Sequence, residues 1–150
     1  MPLTMRWAFV ALLIAAMPTA AQQPPATVDV YKTPTCGCCS KWVAHMRANG
    51  FTVKTTDVES TGPIQGRHAV PTEVRSCHTA LVGGYVLEGH VPAAEVKRLL
   101  KERPRIAGIA VPGMPAGSPG MEMDGVNAQP YRVMSFDRTG RVNVFATYPR

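Results

Sequence analysis

Apolar and polar residues alternate over Val28-Asp29-Val30-Tyr31, the period of a half-buried strand. A turn at Thr33-Pro34-Thr35 follows. Beyond it, Cys39, Val43 and Met46 recur at spacings of four and three with Trp42 beside them, while Lys41 and Arg47 fall elsewhere. That spacing predicts a helix from about Cys38 to Asn49, stopped by Gly50. Phe51 to Asp57 reads as a second strand. Glu59 to Val70 is rich in Gly, Pro and polar residues and reads as loop. Thr79 to Val82 and Tyr85 to Glu88 flank Gly83-Gly84, the signal of a tight hairpin. Pro92 then stands at a first helical position. Ala93, Val96, Leu99 and Leu100 keep helical spacing to about Arg103, and Pro104 ends the run.

Periodicity lapses from Ile106 to Gly125, where many Gly and Pro residues surround Met114, Met121 and Met123. Tyr131 to Phe136 and Val142 to Ala146 then read as a closing hairpin about Asp137 to Arg141. Strand, helix, strand, loop, hairpin, helix, with a C-x-x-C at the start of the first helix, is a thioredoxin-like order. Its departure is a second helix that is weak or missing. The expected fold is α/β: one thioredoxin-like domain over residues 28–150, carrying a Gly/Pro/Met-rich loop and a C-terminal β-hairpin.

The first 21 residues read as a secretory signal peptide: Arg6, an apolar run from Trp7 to Ala16, a break at Met17-Pro18 and small residues at Thr19-Ala20-Ala21. The run is too short to span a bilayer, and an uncleaved anchor is the alternative. Residues 22–27 read as a disordered leader. The protein is therefore expected to be exported and periplasmic, with no membrane association after cleavage. Its net charge of +6 is scattered, apart from a group between Lys97 and Arg105, and no aromatic stripe accompanies it. That pattern excludes a nucleic-acid partner and leaves solubility as the role of the charge.

Three of the four cysteines lie in Cys36-Gly37-Cys38-Cys39. At a helix N-terminus, free backbone N–H groups and the helix dipole stabilise thiolates. A plain C-x-x-C there is a redox pair, and Cys38 between its members spoils that chemistry by offering a third thiol. Three thiolates facing one point make a soft-metal site. In thioredoxin-like folds the loop entering the hairpin passes over the C-x-x-C, so Ser76-Cys77-His78 brings in a fourth sulfur. Cu(I) suits such a set first and zinc second, because adjacent cysteines span a tetrahedron poorly. Two alternatives stay open: a thiol–disulfide oxidoreductase using Cys36 and Cys39, and structural crosslinks such as Cys36–Cys39 with Cys38–Cys77. Thioethers at Met114, Met121 and Met123 favour Cu(I) over zinc. Among the histidines, His78 has the strongest claim because it adjoins Cys77. His45, His68 and His90 read as structural.

The segments "VYKTPTCGCCSKWVAHMRANGF", "SCHTALVGGYVLEGHVPA" and "AVPGMPAGSPGME" resemble the periplasmic copper-resistance proteins of the CopG type, over nearly all of the chain beyond the signal. The resemblance implies copper as the bound metal, as Cu(I)/Cu(II), with several ions bridged by the thiolates of Cys36, Cys38, Cys39 and Cys77. Met114 and Met121 match the family's methionine segments in a supporting role, and Met123 lies just beyond them. Copper sequestration, Cu(I)/Cu(II) interconversion, and exchange with periplasmic copper chaperones or an efflux system all fit the resemblance.

Overall fold

A computed structural model describes residues 25–149. The signal peptide expected over 1–21 and the first residues of the leader lie outside the described residues. In chain order the elements are β1 (Thr27–Lys32), α1 (Gly37–Ala48), β2 (Thr52–Asp57), α2 (Gly62–Arg67), a 3-10 turn (Thr72–Val74), β3 (His78–Val82), β4 (Tyr85–Glu88), α3 (Ala93–Glu102), β5 (Gly108–Ala110), β6 (Tyr131–Phe136) and β7 (Val142–Tyr148). They form one mixed α/β unit around a seven-stranded sheet in the order β2-β1-β3-β4-β5-β6-β7. β1 runs parallel to β2 and antiparallel to β3, and β4 runs parallel to β5.

The helix spacing read from the sequence buries the expected stripe. Trp42, Val43 and Met46 of α1 join Ala93, Val96 and Leu99 of α3 against Val28, Val30 and Leu87 of the sheet. A second cluster of Val70, Val74, Val86, Ala110 and Phe136 includes the residue that alternates with Leu87 on β4, as the two-residue period of a strand requires. Among the described residues, no helix is long and apolar enough to cross a membrane.

Three expectations need correction. The segment read as loop between Glu59 and Val70 contains α2, so the second helix is present though only six residues long. Its one buried side chain is the polar Gln65, which leaves no apolar period to read. Thr27, expected as the last residue of a disordered leader, is instead the first residue of β1. The Gly/Pro-rich stretch also contributes β5, a three-residue strand held between β4 and β6.

Candidate metal centre

Cys36 is the N-cap of α1, with extended backbone and no side-chain cap. Cys38 and Cys39 therefore fall in the first turn, where N–H groups lack intrahelical partners. No acidic residue stands there to oppose a thiolate. Cys39 points inward and is fully buried, whereas Cys36 and Cys38 are half-buried.

The fourth sulfur arrives by strand pairing. The β3–β4 hairpin turns on Gly83-Gly84 and pairs Val82 with Tyr85 and Thr79 with Glu88. Counting outward from that turn sets Cys77 opposite His90. Since β3 also pairs with β1, where Lys32 faces His78, the loop before β3 ends beside the start of α1. The four cysteine sulfurs all lie within 4.8 Å of one another. Cys36 and Cys39 are joined in a disulfide, while Cys38 and Cys77 are free. The Cys38 sulfur is 3.5 Å from that of Cys36, and the Cys39 sulfur is 3.7 Å from the Cys77 carbonyl oxygen. Burial, then the neighbouring Cys38 sulfur, pushes the Cys77 thiol up to about 12. A soft metal bound at this sulfur would have to displace a proton.

Two imidazoles complete the cluster. His78 is fully buried, with Nδ1 3.4 Å from the Cys77 sulfur. Among the described residues its Nε2 has no hydrogen-bond partner. Burial and the nearby His90 push it down to about 3, so it is neutral. His90 Nε2 lies 3.1 Å from the same sulfur, and its Nδ1 is 2.8 Å from the Pro119 carbonyl oxygen. A carbonyl only accepts, so Nδ1 carries the proton and the Nε2 lone pair faces Cys77. His90, read from the sequence as structural, is thus in the cluster. The other two histidines are not: His45 Nε2 accepts the Ala93 N–H at the start of α3, and His68 lines a 310 Å³ cleft that includes no cysteine.

The Gly/Pro/Met loop covers this region through its backbone. Ser76 donates its hydroxyl to the Gly113 carbonyl at 2.8 Å, and Pro119 holds His90. Gly120 lies against α1 so closely that a Cβ there would come within 2.8 Å of both the Cys38 oxygen and the Trp42 nitrogen. Its φ of +88° is the left-handed conformation that glycine adopts without strain. Met114 and Met123 are 52% and 49% exposed, so their side chains face solvent, while Met121 is half-buried.

The residues present suit a thiophilic ion. They supply up to four thiolates and two neutral imidazoles, with no carboxylate in either ligand group. That is a donor set for Cu(I) or zinc rather than a hard cation. Glu88 lies close by and is fully buried, but it faces the loop backbone instead. It accepts the Ser76 N–H at 2.7 Å, the Gln65 amide at 2.6 Å and the Thr79 hydroxyl at 2.7 Å.

Comparison with known proteins agrees with this chemistry. A family model described as a protein of unknown function, DUF411, matches residues 74–121, which include Cys77, His78, His90, Met114 and Met121. No curated protein matches the chain. A solved structure named copper resistance protein CopG, form 2, is 45% identical, with 83% of this chain and 99% of that one covered and a TM-score of 0.76. Form 1 is 44% identical, with 84% and 99% covered and a TM-score of 0.78. At that identity, over nearly the whole length of both structures, the chain belongs to the CopG-type copper resistance protein family.

Proposed function

We propose that this protein holds Cu(I) on Cys36, Cys38, Cys39 and Cys77 as a thiolate-bridged multinuclear site, in periplasmic copper resistance. One observation carries the reading: four sulfurs from two distant segments lie within 4.8 Å of one another. Thiolate sulfurs that close share their lone pairs between ions, and soft ligands select Cu(I). His90 is an additional donor, with its Nε2 lone pair set free by the Pro119 carbonyl. His78 is a further candidate ligand. Met114, Met121 and Met123 belong to the loop that covers the site, and the exposed thioethers are where copper enters from a chaperone or leaves for an efflux system. The strand order β2-β1-β3-β4 supports the thioredoxin-like reading of the fold. Interconversion of Cu(I) and Cu(II) fits the same residues.

The test is anaerobic titration of the fully reduced chain with Cu(I) against a competing chelator. More than one ion per chain is expected. Cys38→Ser should lower that number, because it removes a bridging sulfur.

The Cys36–Cys39 disulfide supports a second reading, a thiol–disulfide oxidoreductase. In that case Cys38→Ser would keep vigorous insulin-disulfide reduction with copper stoichiometry intact.

A further inference from the structure

We propose that Cys36 and Cys39 are the electron store of this site: together they reduce two Cu(II) ions and become the disulfide, while Cys38, Cys77 and His90 remain as copper donors. The inference rests on the copper reading above and names the chemistry of the same residues.

Four sulfurs within 4.8 Å allow several pairings, and the bond present joins the two cysteines whose Cα atoms are 5.3 Å apart. That separation is within the range a disulfide spans without moving the backbone. The consequence lies in what the bond leaves behind. Cys38 and Cys77 stay free and half-buried, and the Cys77 sulfur keeps His90 Nε2 at 3.1 Å. Oxidation therefore divides the cluster instead of dismantling it. One half is a closed disulfide and the other is a donor set of two sulfurs and one imidazole.

Burial says how each oxidant meets the pair. Cys39 is fully buried in the first turn of α1, and Gly120 packs its loop against the backbone of Cys38 and Trp42. A protein disulfide meets Cys36 alone and leaves Cys39 to resolve a mixed disulfide, whereas a metal ion bound among the four sulfurs touches both partners at once. In the proposed step copper itself is the oxidant. The thiolates of Cys36 and Cys39 each give one electron to a Cu(II) ion, the S–S bond forms between them, and two Cu(I) ions result. Where the two groups begin as thiols, two protons leave to water. Soft sulfur and imidazole donors favour the Cu(I) product. With two of its thiolates consumed, the site has a smaller capacity, so reduction is coupled to release of part of the copper.

The experiment mixes the reduced chain anaerobically with Cu(II) and excess bicinchoninate, a chromogenic Cu(I) chelator. Two Cu(I) per chain are expected, and the thiol titre should fall from the four cysteines of the sequence to two. A non-reducing peptide map should link Cys36 to Cys39, with Cys38 and Cys77 alkylated. A link through Cys38 or Cys77, or an unchanged thiol titre, overturns the assignment. Cys36→Ser alters a half-buried position and spares the buried one. It should cut the Cu(I) yield at least twofold, and a full yield with Cys38 linked to Cys77 would overturn the proposal. The disulfide form should still bind a single Cu(I), and its binding none would remove the residual site. Failure here is distinct from failure of the copper reading. Titration of the reduced chain with Cu(I) needs no electron transfer, so uptake of Cu(I) with an unchanged thiol titre after Cu(II) rejects this inference alone.

Discussion

Gly120→Ala tests whether the Gly/Pro/Met loop is a cover fixed to the cysteine helix. The added Cβ meets two backbone atoms of α1 at 2.8 Å, the Cys38 oxygen and the Trp42 nitrogen, and neither can swing aside. Two costs follow. An L-residue in the left-handed region costs about 1–2 kcal/mol, and overpacking against a fixed wall costs about 1–3 kcal/mol. The second cost has a ceiling, because the loop can lift. Lifting loses the hydrogen bonds from His90 to Pro119 and from Ser76 to Gly113, at about 1 kcal/mol each. Gly113→Ala in the same loop is the control. Its φ is +69° and nothing lies within 4 Å of its Cβ, so it carries the backbone cost without the clash. Urea denaturation should place Gly120→Ala below Gly113→Ala by about 1–2 kcal/mol, the clash up to the ceiling set by the two lost hydrogen bonds. In the reduced proteins, Cys38 and Cys77 should react faster with a thiol reagent in Gly120→Ala alone. Equal stabilities and equal thiol reactivity in the two variants would refute the loop as a cover.

Three further outcomes are expected. Replacing Met114 and Met121 together by Leu should leave the fold intact, lower Cu(I) affinity modestly and quicken air oxidation of the loaded protein; unchanged affinity and oxidation would reduce the loop to covering. Trp42 donates its indole N–H to the buried Val91 carbonyl at 2.8 Å, so Trp42→Phe should cost about 1–3 kcal/mol in chemical denaturation, and a loss below 0.5 kcal/mol would show that carbonyl to be re-satisfied. Burial holds the pKa of His45 below its ordinary 6.5, with Glu122 opposing and Lys97 adding to the shift. The unfolded imidazole takes its proton first, so the His45 contribution is complete above about pH 6.5 and declines as pH falls from there toward the folded value. His45→Gln should flatten that part of the acid limb in pH-dependent unfolding, and an unchanged slope would contradict the assignment.

What the sequence made legible follows from periodicity. The stripe of Cys39, Val43 and Met46 and the alternation around Gly83-Gly84 each involve many residues repeating one spacing, so α1 and the β3–β4 hairpin were readable. α2 was not, because six residues with a buried Gln65 present no apolar period. β5 was not, because three residues become a strand only through their partners on β4 and β6. The cysteine convergence was legible from motif and fold order together. His90 was missed although a signal existed. A two-residue turn at Gly83-Gly84 fixes the register, and counting outward from it puts His90 opposite Cys77. Only its contact with Pro119 depends on the aperiodic loop, whose path no spacing encodes.

The same register explains the buried carboxylate. Glu88 stands opposite Thr79 and two residues before His90, and burial raises it to about 7 against the pull of its three donors. Desolvating a carboxylate costs several kcal/mol, a cost that a hydrophobic residue at this position would avoid. What Glu88 gains is grip on the peptide that carries Cys77. Its Oε1 accepts the Ser76 N–H, while Gln65, bonded to that same oxygen, donates to the Ser76 carbonyl at 3.2 Å. The residue before Cys77 is thus held at both of its backbone polar groups, by side chains from β4 and α2. Its hydroxyl is held by Gly113. A loop fixed at three points before its sulfur, and by strand pairing after it, has little freedom to follow a metal. The cluster's adaptability therefore belongs to its other half, the N-cap and first turn of α1, where Cys36 and Cys38 are half-buried and where the proposed electron store would open and close its disulfide.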